Sequence, residues 1–172
     1  LVSGPSALAA PKGLKRFISV ETAQEMREAV LREATESRIV IKAAAVADYH
    51  PKTVATQKIK KNDESLSIVL EKNPDILKEL GQRKTERQIL VGFAAETQNL
   101  LQYAREKIEK KNLDFIVAND VTKPGAGFNT STNLVKILSR DGTVKELPLM
   151  TKREIAKCIF DYILPDDLDV NH

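Results

Sequence analysis

Cysteine, histidine, aromatic side chains and long apolar runs are all scarce in this 172-residue chain, and each shortage removes a class of function. Cys158 is the only cysteine. No internal disulfide can form, and such usage fits a reducing compartment, here the cytoplasm. Its place beside Ile155 and Ile159 on a predicted helix reads as a packed thiol rather than a nucleophile. His50 and His172 are the only histidines, too few for a zinc cluster or a Ser-His-Asp triad. Aromatic residues make up 5% of the chain, which leaves few platforms for stacking single-stranded bases. The formal charge of +3 is evenly spread and does not by itself imply nucleic acid. The longest apolar stretches, Ile39 to Ala47 and Ile89 to Ala95, fall short of the ~20 residues of a membrane helix. Neither a nucleic acid nor a membrane is therefore expected as a partner. The glycine signatures GxGxxG and GxxxxGK[ST] are missing as well.

What remains is an ordinary globular composition, 42% hydrophobic and 30% charged, in a chain long enough to bury a core. Leu1-Val2-Ser3-Gly4-Pro5 has no signal-peptide pattern and reads as the end of a strand entering a turn, so a longer polypeptide is expected upstream. Thr22 and Glu25 have capping-box spacing, and Met26, Ala29, Val30 and Ala34 recur at helical intervals, which predicts a helix over 22–36. Residues 38–46 are apolar on both alternating faces and predict a central strand covered on two sides. Residues 48–62 lose periodicity, collect four lysines and predict a loop. The alternation of Leu66, Ile68 and Leu70 predicts a half-buried strand over 65–70. Asn73 is placed to cap the next helix with Pro74 at its first position, Ile76, Leu77 and Leu80 inside and Gly81 closing it.

A second buried strand, Ile89 to Ala95, leads into a helix over 98–111 with Leu101, Ala104 and Ile108 facing inward. A third runs from Asp114 to Ala118. After the loop 121–133, strands at 134–138 and 144–149 meet around Asp141-Gly142, a hairpin signal. Thr151 and Glu154 then repeat the capping-box spacing before a last helix bearing Ile155, Ile159 and Tyr162. The alternation of strand and helix predicts an α/β fold: a doubly wound, Rossmann-like, mostly parallel sheet with an antiparallel edge hairpin near the C-terminus. A single domain over 1–164, incomplete at its N-terminus, and a tail over 165–172 follow from that reading.

In open sheets of this kind ligands bind beyond the carboxyl ends of the strands. That rule selects 45–50, 94–99 and 119–129, with Asp48, Glu96 and Asp120 as acids that converge if the strands are adjacent, though each alone also suits a turn or cap. Lys58, Lys60 and Lys61 form a cluster in the long loop. Their mutual repulsion suits a solvated turn, whereas beside a strand-end crevice they would neutralise polyphosphate and the charge developing on a transferring phosphoryl group. Asn73-Pro74 offers a further anion site at a helix start. Lys107 and Lys111, spaced i,i+4, lie on one helix face, either as exposed charges or as two arms reaching one polyphosphate. Patterning alone leaves open a ligase, a dinucleotide-dependent oxidoreductase and a nucleotide-binding regulatory module.

Five strings narrow the choice: Ala43-Ala44-Ala45-Val46-Ala47-Asp48-Tyr49, Lys58-Ile59-Lys60-Lys61, Lys72-Asn73-Pro74-Asp75-Ile76, Gly92-Phe93-Ala94-Ala95-Glu96-Thr97 and Ala118-Asn119-Asp120. In this order and spacing they resemble the bacterial phosphopantothenoylcysteine synthetases. The resemblance implies ligation of 4'-phosphopantothenate to cysteine with CTP and Mg²⁺, through an acyl-cytidylate, releasing pyrophosphate and then CMP. It implies nucleotide contacts from Lys42, Ala43, Ala44, Asp48, Asn73, Pro74, Asp75, Ile76, Phe93, Lys107 and Lys111. Lys58 would act on a flap closing over the intermediate, and Lys60, Lys61, Glu96, Asn119 and Asp120 would line the site; no metal ligands are implied. A homodimer, with the C-terminal hairpin as a place to seek the partner, and fusion to an FMN-dependent decarboxylase also follow from the resemblance. The family's glycine-rich first strand and Asn-bearing segment do not appear among these residues.

Overall fold

The computed structural model describes residues 1–59, 66–96, 100–120 and 130–164. In chain order its elements are β1 (Val2–Ser3), β2 (Ile18–Ser19), α1 (Ala23–Ala34), β3 (Ile39–Lys42), β4 (Tyr49–Pro51), β5 (Leu70–Lys72), α2 (Ile76–Arg83) and β6 (Ile89–Glu96). They continue as α3 (Leu100–Lys111), β7 (Phe115–Asp120), β8 (Thr132–Asn133), β9 (Val135–Ser139), β10 (Val144–Glu146), β11 (Met150–Thr151) and α4 (Lys152–Ile163). The residues group into two compact units, Leu1–Glu33 with Ala44–Ile76, and Ala34–Ala43 with Leu77–His172.

The second unit is built on a five-stranded sheet in the order β10-β9-β7-β6-β3. Strands β3, β6 and β7 are parallel, and β9 and β10 add the antiparallel hairpin at one edge. Because successive side chains alternate across a sheet, the register sorts the core into two layers. Val91, Val117, Val135 and Ile137 pack with Ile155, Ile159 and Ile163 of α4. On the other face, Gly92 lies opposite Ile116, and Ile116 opposite Leu138. A side-chain carbon on Gly92 would stand 2.8 Å from Leu77 of α2 and 3.0 Å from Leu113, so α2 lies directly on this face, and Ala104 and Ile108 of α3 are buried. Helices on both faces of a mostly parallel sheet make the doubly wound architecture expected from the alternation.

Several boundaries move. Strand β3 stops at Lys42, where its pairing with Gly92 ends, and β6 continues with β7 alone. Its residues are half-buried, and β3 closes the described sheet as an edge instead of lying centrally. Asn73 does not cap α2: the helix begins at Ile76 and runs past Gly81 to Arg83. The Asn73 side chain is drawn off by the Ala47 carbonyl, to which Nδ2 donates at 2.9 Å. Leu101 stays exposed because it sits in the first turn of α3, before the covered stretch that starts at Ala104. Both capping boxes form: Glu25 N–H donates to Thr22 Oγ1 (3.1 Å), and Glu154 N–H to Thr151 Oγ1 (3.3 Å). Cys158 packs half-buried against the α4 core layer.

In the first unit β1 and β2 pair in parallel, Val2 opposite Ile18. Strand β4 lies inside the stretch expected to be loop, and pairs antiparallel with β5. The strand expected over 65–70 is regular only over Leu70–Lys72, and Leu66, Ile68 and Leu70 are exposed rather than half-buried. Among the described residues nothing covers their side.

Candidate functional site

The first unit contains a cavity of about 890 Å³. Its walls come from the turn after β1 (Ser3 to Pro5), the start of α1 (Val20 to Gln24, and Met26), the segment Ala44 to Ala47, the β4 region and Asn73-Pro74. Two hydrogen bonds tie Asn73 to the chain at Ala47 and Asp48, just before β4. Asn73 Nδ2 donates to the Ala47 carbonyl, and Asn73 N–H donates to the Asp48 carbonyl at 2.8 Å. Ala44 and Ala45 are exposed on the wall, and Asp48 is exposed between two lining residues, Ala47 and Tyr49.

Among the described residues no lysine or arginine lines this cavity. Although α1 begins at its wall, the first turn is already charged: Glu25 Oε2 accepts the Glu21 N–H at 2.8 Å and the Thr22 N–H at 3.5 Å. The Glu21 amide bond holds the Glu25 carboxyl below its ordinary 4.5. A helix start that has taken up its own carboxylate is a poor seat for phosphate. The cavity therefore suits uncharged parts of a ligand.

The second unit supplies the strand ends. The register sets Ala95 opposite Asn119 and Glu96 opposite Asp120, so the polar residues that follow both apolar strands stand side by side at the carboxyl edge. Phe93 is half-buried against the α4 layer. Asn119 Oδ1 is buried without a hydrogen-bond partner, an arrangement that costs roughly 1–3 kcal/mol and marks the end of β7 as something other than ordinary core. Lys42 and Ala43 sit at the carboxyl end of β3.

Lys107 and Lys111 share a half-buried face in the second half of α3. The helix runs from the carboxyl end of β6 towards the amino end of β7, so Lys111 lies roughly 16 Å along the axis from its first residue. Its end is clamped. A side-chain carbon on Gly81 would stand 1.8 Å from the Lys111 carbonyl oxygen. Asn112, at φ 52°, donates from Nδ2 to the Gly81 carbonyl at 2.8 Å, and its Oδ1 accepts from Arg140 Nη2 at 2.6 Å.

Lys58 is exposed in the loop after β4. Lys60 and Lys61 lie outside the described residues, as do the side chains of Glu96 and Asp120. Among the described residues no group of three histidines, cysteines or acids could by itself hold a metal ion. Magnesium bound through substrate phosphates takes only one or two carboxylates from protein, and exposed Asp48 provides a donor of that kind. Sequence reasoning passed over the turn at Ser3 to Pro5 and the start of α1 as parts of a site, while it selected Tyr49 and His50 only within the segment 45–50. Their only signal was proximity in sequence to a strand end, which says nothing of a wall assembled from five separate segments.

A sequence model of the DNA/pantothenate metabolism flavoprotein C-terminal domain matches residues 1–165. The chain is 56% identical over 156 residues to the coenzyme A biosynthesis bifunctional protein CoaBC of Bacillus subtilis, covering 91% of this chain and 38% of that protein. It is 46% identical over 165 residues to the protein of the same description in Vibrio cholerae, covering 95% and 41%. The chain thus spans about two fifths of the length of these relatives. Among solved structures, the C-terminal domain of a CoaBC protein aligns with a TM-score of 0.77 at 44% identity, over 94% of this chain and 70% of that one. Among the described residues no helix is long and apolar enough to cross a membrane.

Proposed function

Because this chain belongs to the DNA/pantothenate metabolism flavoprotein C-terminal domain family, we propose that it carries the ligase reaction of coenzyme A biosynthesis, joining 4'-phosphopantothenate to cysteine at the expense of CTP. The observation that carries this reading is the likeness, over nearly the whole chain, to relatives named as bifunctional proteins of that biosynthesis. In the first step a carboxylate oxygen of 4'-phosphopantothenate attacks the α-phosphorus of CTP. The bond to the β-phosphate breaks, giving the acyl-cytidylate and pyrophosphate. The cysteine amine then attacks the acyl carbon, the bond to the cytidylate oxygen breaks, CMP leaves and the amine gives up a proton.

The residues divide by charge. Ala43, Ala44, Asn73 and Pro74 offer neutral contacts, with Ile76, whose side chain is buried in the core, able to add only its backbone, and the described lining of the first unit's cavity, neutral apart from Glu21, supports a place there for sugar, base or the amide arm. Lys42, Lys58, Lys107 and Lys111 would meet the polyphosphate. Lys107, nearer the start of α3, is the better placed of the helix pair for a ligand at the strand ends. Phe93 and Asp75 complete the nucleotide contacts, and Lys60, Lys61, Glu96, Asn119 and Asp120 line the site. Bound magnesium would supply charge neutralisation at the phosphates, with Asp48 as its protein donor. Lys58 would act mainly on the phosphorane and the leaving pyrophosphate, where negative charge grows during reaction.

The protein would work in the cytoplasm as a homodimer, and flavin would enter only through an FMN-dependent decarboxylase fused in the same polypeptide. The test is to incubate the full-length protein with 4'-phosphopantothenate, Mg²⁺ and each nucleoside triphosphate in turn. CTP-dependent pyrophosphate release before cysteine is added is the expected result. No release with any nucleotide rejects the reading.

A further inference from the structure

The cavity of the first unit has one acidic residue on its described wall, Glu21. Four acids lie within residues 21–33, and the other three are engaged. Glu25 Oε2 accepts the Glu21 N–H, Glu28 Oε1 accepts from Gln24 Nε2 at 2.7 Å, and Glu33 Oε1 meets Arg16 Nη1 at 2.8 Å. The Glu21 carboxylate, exposed at the wall, has no partner among the described residues. The polar side chains around the same cavity already donate within the chain. Ser3 Oγ donates to the Gly4 carbonyl at 3.0 Å, Gln24 to Glu28, and Asn73 Nδ2 to the Ala47 carbonyl. Three side-chain donors of the wall are thus turned to the chain itself, and its strongest acceptor is left without a donor.

Such a wall calls for a ligand group that has hydrogen to give and carries no negative charge. The carboxylate repels phosphate and carboxylate oxygens and attracts a cation, and concave walls of alanine, proline and valine strengthen both effects relative to open water. Tyr49 and His50 are the only other titratable side chains on the described wall, and His50 of β4 stands opposite Glu71 of β5. Among the reactants of the ligation proposed above, CTP and 4'-phosphopantothenate are anions, and magnesium travels with their phosphates. Cysteine alone brings an organic cation, its α-ammonium, with three N–H donors.

We propose that Glu21 receives the α-ammonium of the incoming cysteine and that this part of the cavity is the amine subsite of the ligation. The inference rests on the reading above and adds to it the place from which the nucleophile arrives. Ala44, Asn73 and Pro74, which that reading gives to the nucleotide, line the same cavity, so the amine is held in the space that the acyl-cytidylate shares. The ammonium gives one proton to water before it attacks. The free amine then forms its bond to the acyl carbon, the bond to the cytidylate oxygen breaks, CMP leaves, and the second proton goes to water. Glu21 binds the amine without entering a covalent step, so its effect falls on the affinity for cysteine and not on turnover at saturation.

The test uses the full-length protein with CTP and 4'-phosphopantothenate at saturation. Glu21→Gln keeps the shape and an acceptor but not the charge. It should raise the KM for cysteine about 5-fold, the upper scale of an exposed ion pair, and Glu21→Asp should restore most of the loss. Raising the ionic strength should raise the cysteine KM of the wild type and leave that of Glu21→Gln unchanged. Hydroxylamine, uncharged at neutral pH, attacks the same acyl carbon, and its capture of the intermediate as a hydroxamate should be equal in wild type and variant. An unchanged cysteine KM overturns the proposal. So does an equal loss towards cysteine and hydroxylamine, which would mean a disturbed cavity, or a defect confined to CTP, which would give Glu21 to the cytosine amino group. A wild type that releases no pyrophosphate with any nucleotide rejects the ligation and the subsite with it, whereas release without any effect on cysteine rejects the subsite alone.

Discussion

The Lys111 carbonyl oxygen stands 1.8 Å from the point where Gly81 would carry a side chain. This contact, within the second unit, fixes how closely α2 approaches the end of α3. It also reverses the usual sign of a helical substitution. Replacing an interior helical glycine by alanine normally stabilises by roughly 1 kcal/mol. Here the new methyl would meet backbone, which cannot swing away as a side-chain end can, and overpacking of this kind costs about 1–3 kcal/mol. Gly81→Ala should lower the unfolding free energy by up to about 2 kcal/mol net in urea denaturation. A stabilised variant would show that the two helices separate freely.

The same clamp ranks the lysines of α3. Lys111 is held at the far end of the helix, while Lys107 lies one turn nearer the carboxyl end of β6. If the polyphosphate is seated at the strand ends, Lys107→Ala should raise the KM for CTP about 10-fold, in keeping with loss of one charge-assisted contact. Lys111→Ala should raise it no more than about 3-fold. Steady-state kinetics at saturating 4'-phosphopantothenate and cysteine decides the matter, and the reverse order would place the nucleotide lower along the helix.

Glu154 closes the capping box of α4, its Oε2 accepting from Thr151 Oγ1 at 2.7 Å and from Thr151 N–H at 2.9 Å. These bonds, the hydroxyl's first, hold its carboxyl below the ordinary 4.5. A carboxyl whose folded value is depressed stabilises the fold above its unfolded value and loses that contribution as the pH falls through the folded one. Glu154→Gln keeps an acceptor but removes the charge. The variant should therefore melt below the wild type at pH 7, with the gap closing progressively as the pH drops below 4.5. A gap that persists undiminished at pH 2.5–3, below the ordinary carboxylate range, would point to packing rather than charge.

How far the sequence was readable depended on whether a pattern is satisfied inside the chain. The apolar run at Ile89, the Asp141-Gly142 turn and both capping boxes are local signals with local partners, and each appears as expected, whereas the run at Ile39 forms a strand that is shorter than expected and lies at the edge of the described sheet. Gly142 has φ 90° and closes the turn with its N–H on the Ser139 carbonyl. Asn73 misled because its side chain had two outlets, the helix start or a carbonyl 26 residues away, and only the second depends on tertiary structure. Leu66, Ile68 and Leu70 misled for the opposite reason: the alternation is real, but none of the described residues covers it. Of the candidate site, motif spacing located the strand ends. The cavity wall stayed hidden because no periodicity links Ser3, Thr22, Ala45 and Asn73.

Lys58 carries the most specific chemical prediction. It is exposed, so in the absence of ligand it gains little by staying in one place, and its value must come from charge that appears during reaction. An ammonium that meets bound CTP and the transition state equally would lower KM without raising turnover. One that meets the α-phosphate as it becomes five-coordinate, or the departing pyrophosphate, acts chiefly on turnover. Lys58→Gln retains length and hydrogen-bonding capacity but no charge. It should reduce the single-turnover rate of pyrophosphate release about 100-fold, while CTP affinity measured by calorimetry changes less than about 5-fold. Loss confined to CTP affinity, with the single-turnover rate intact, would leave Lys58 a binding residue and remove it from the chemical step.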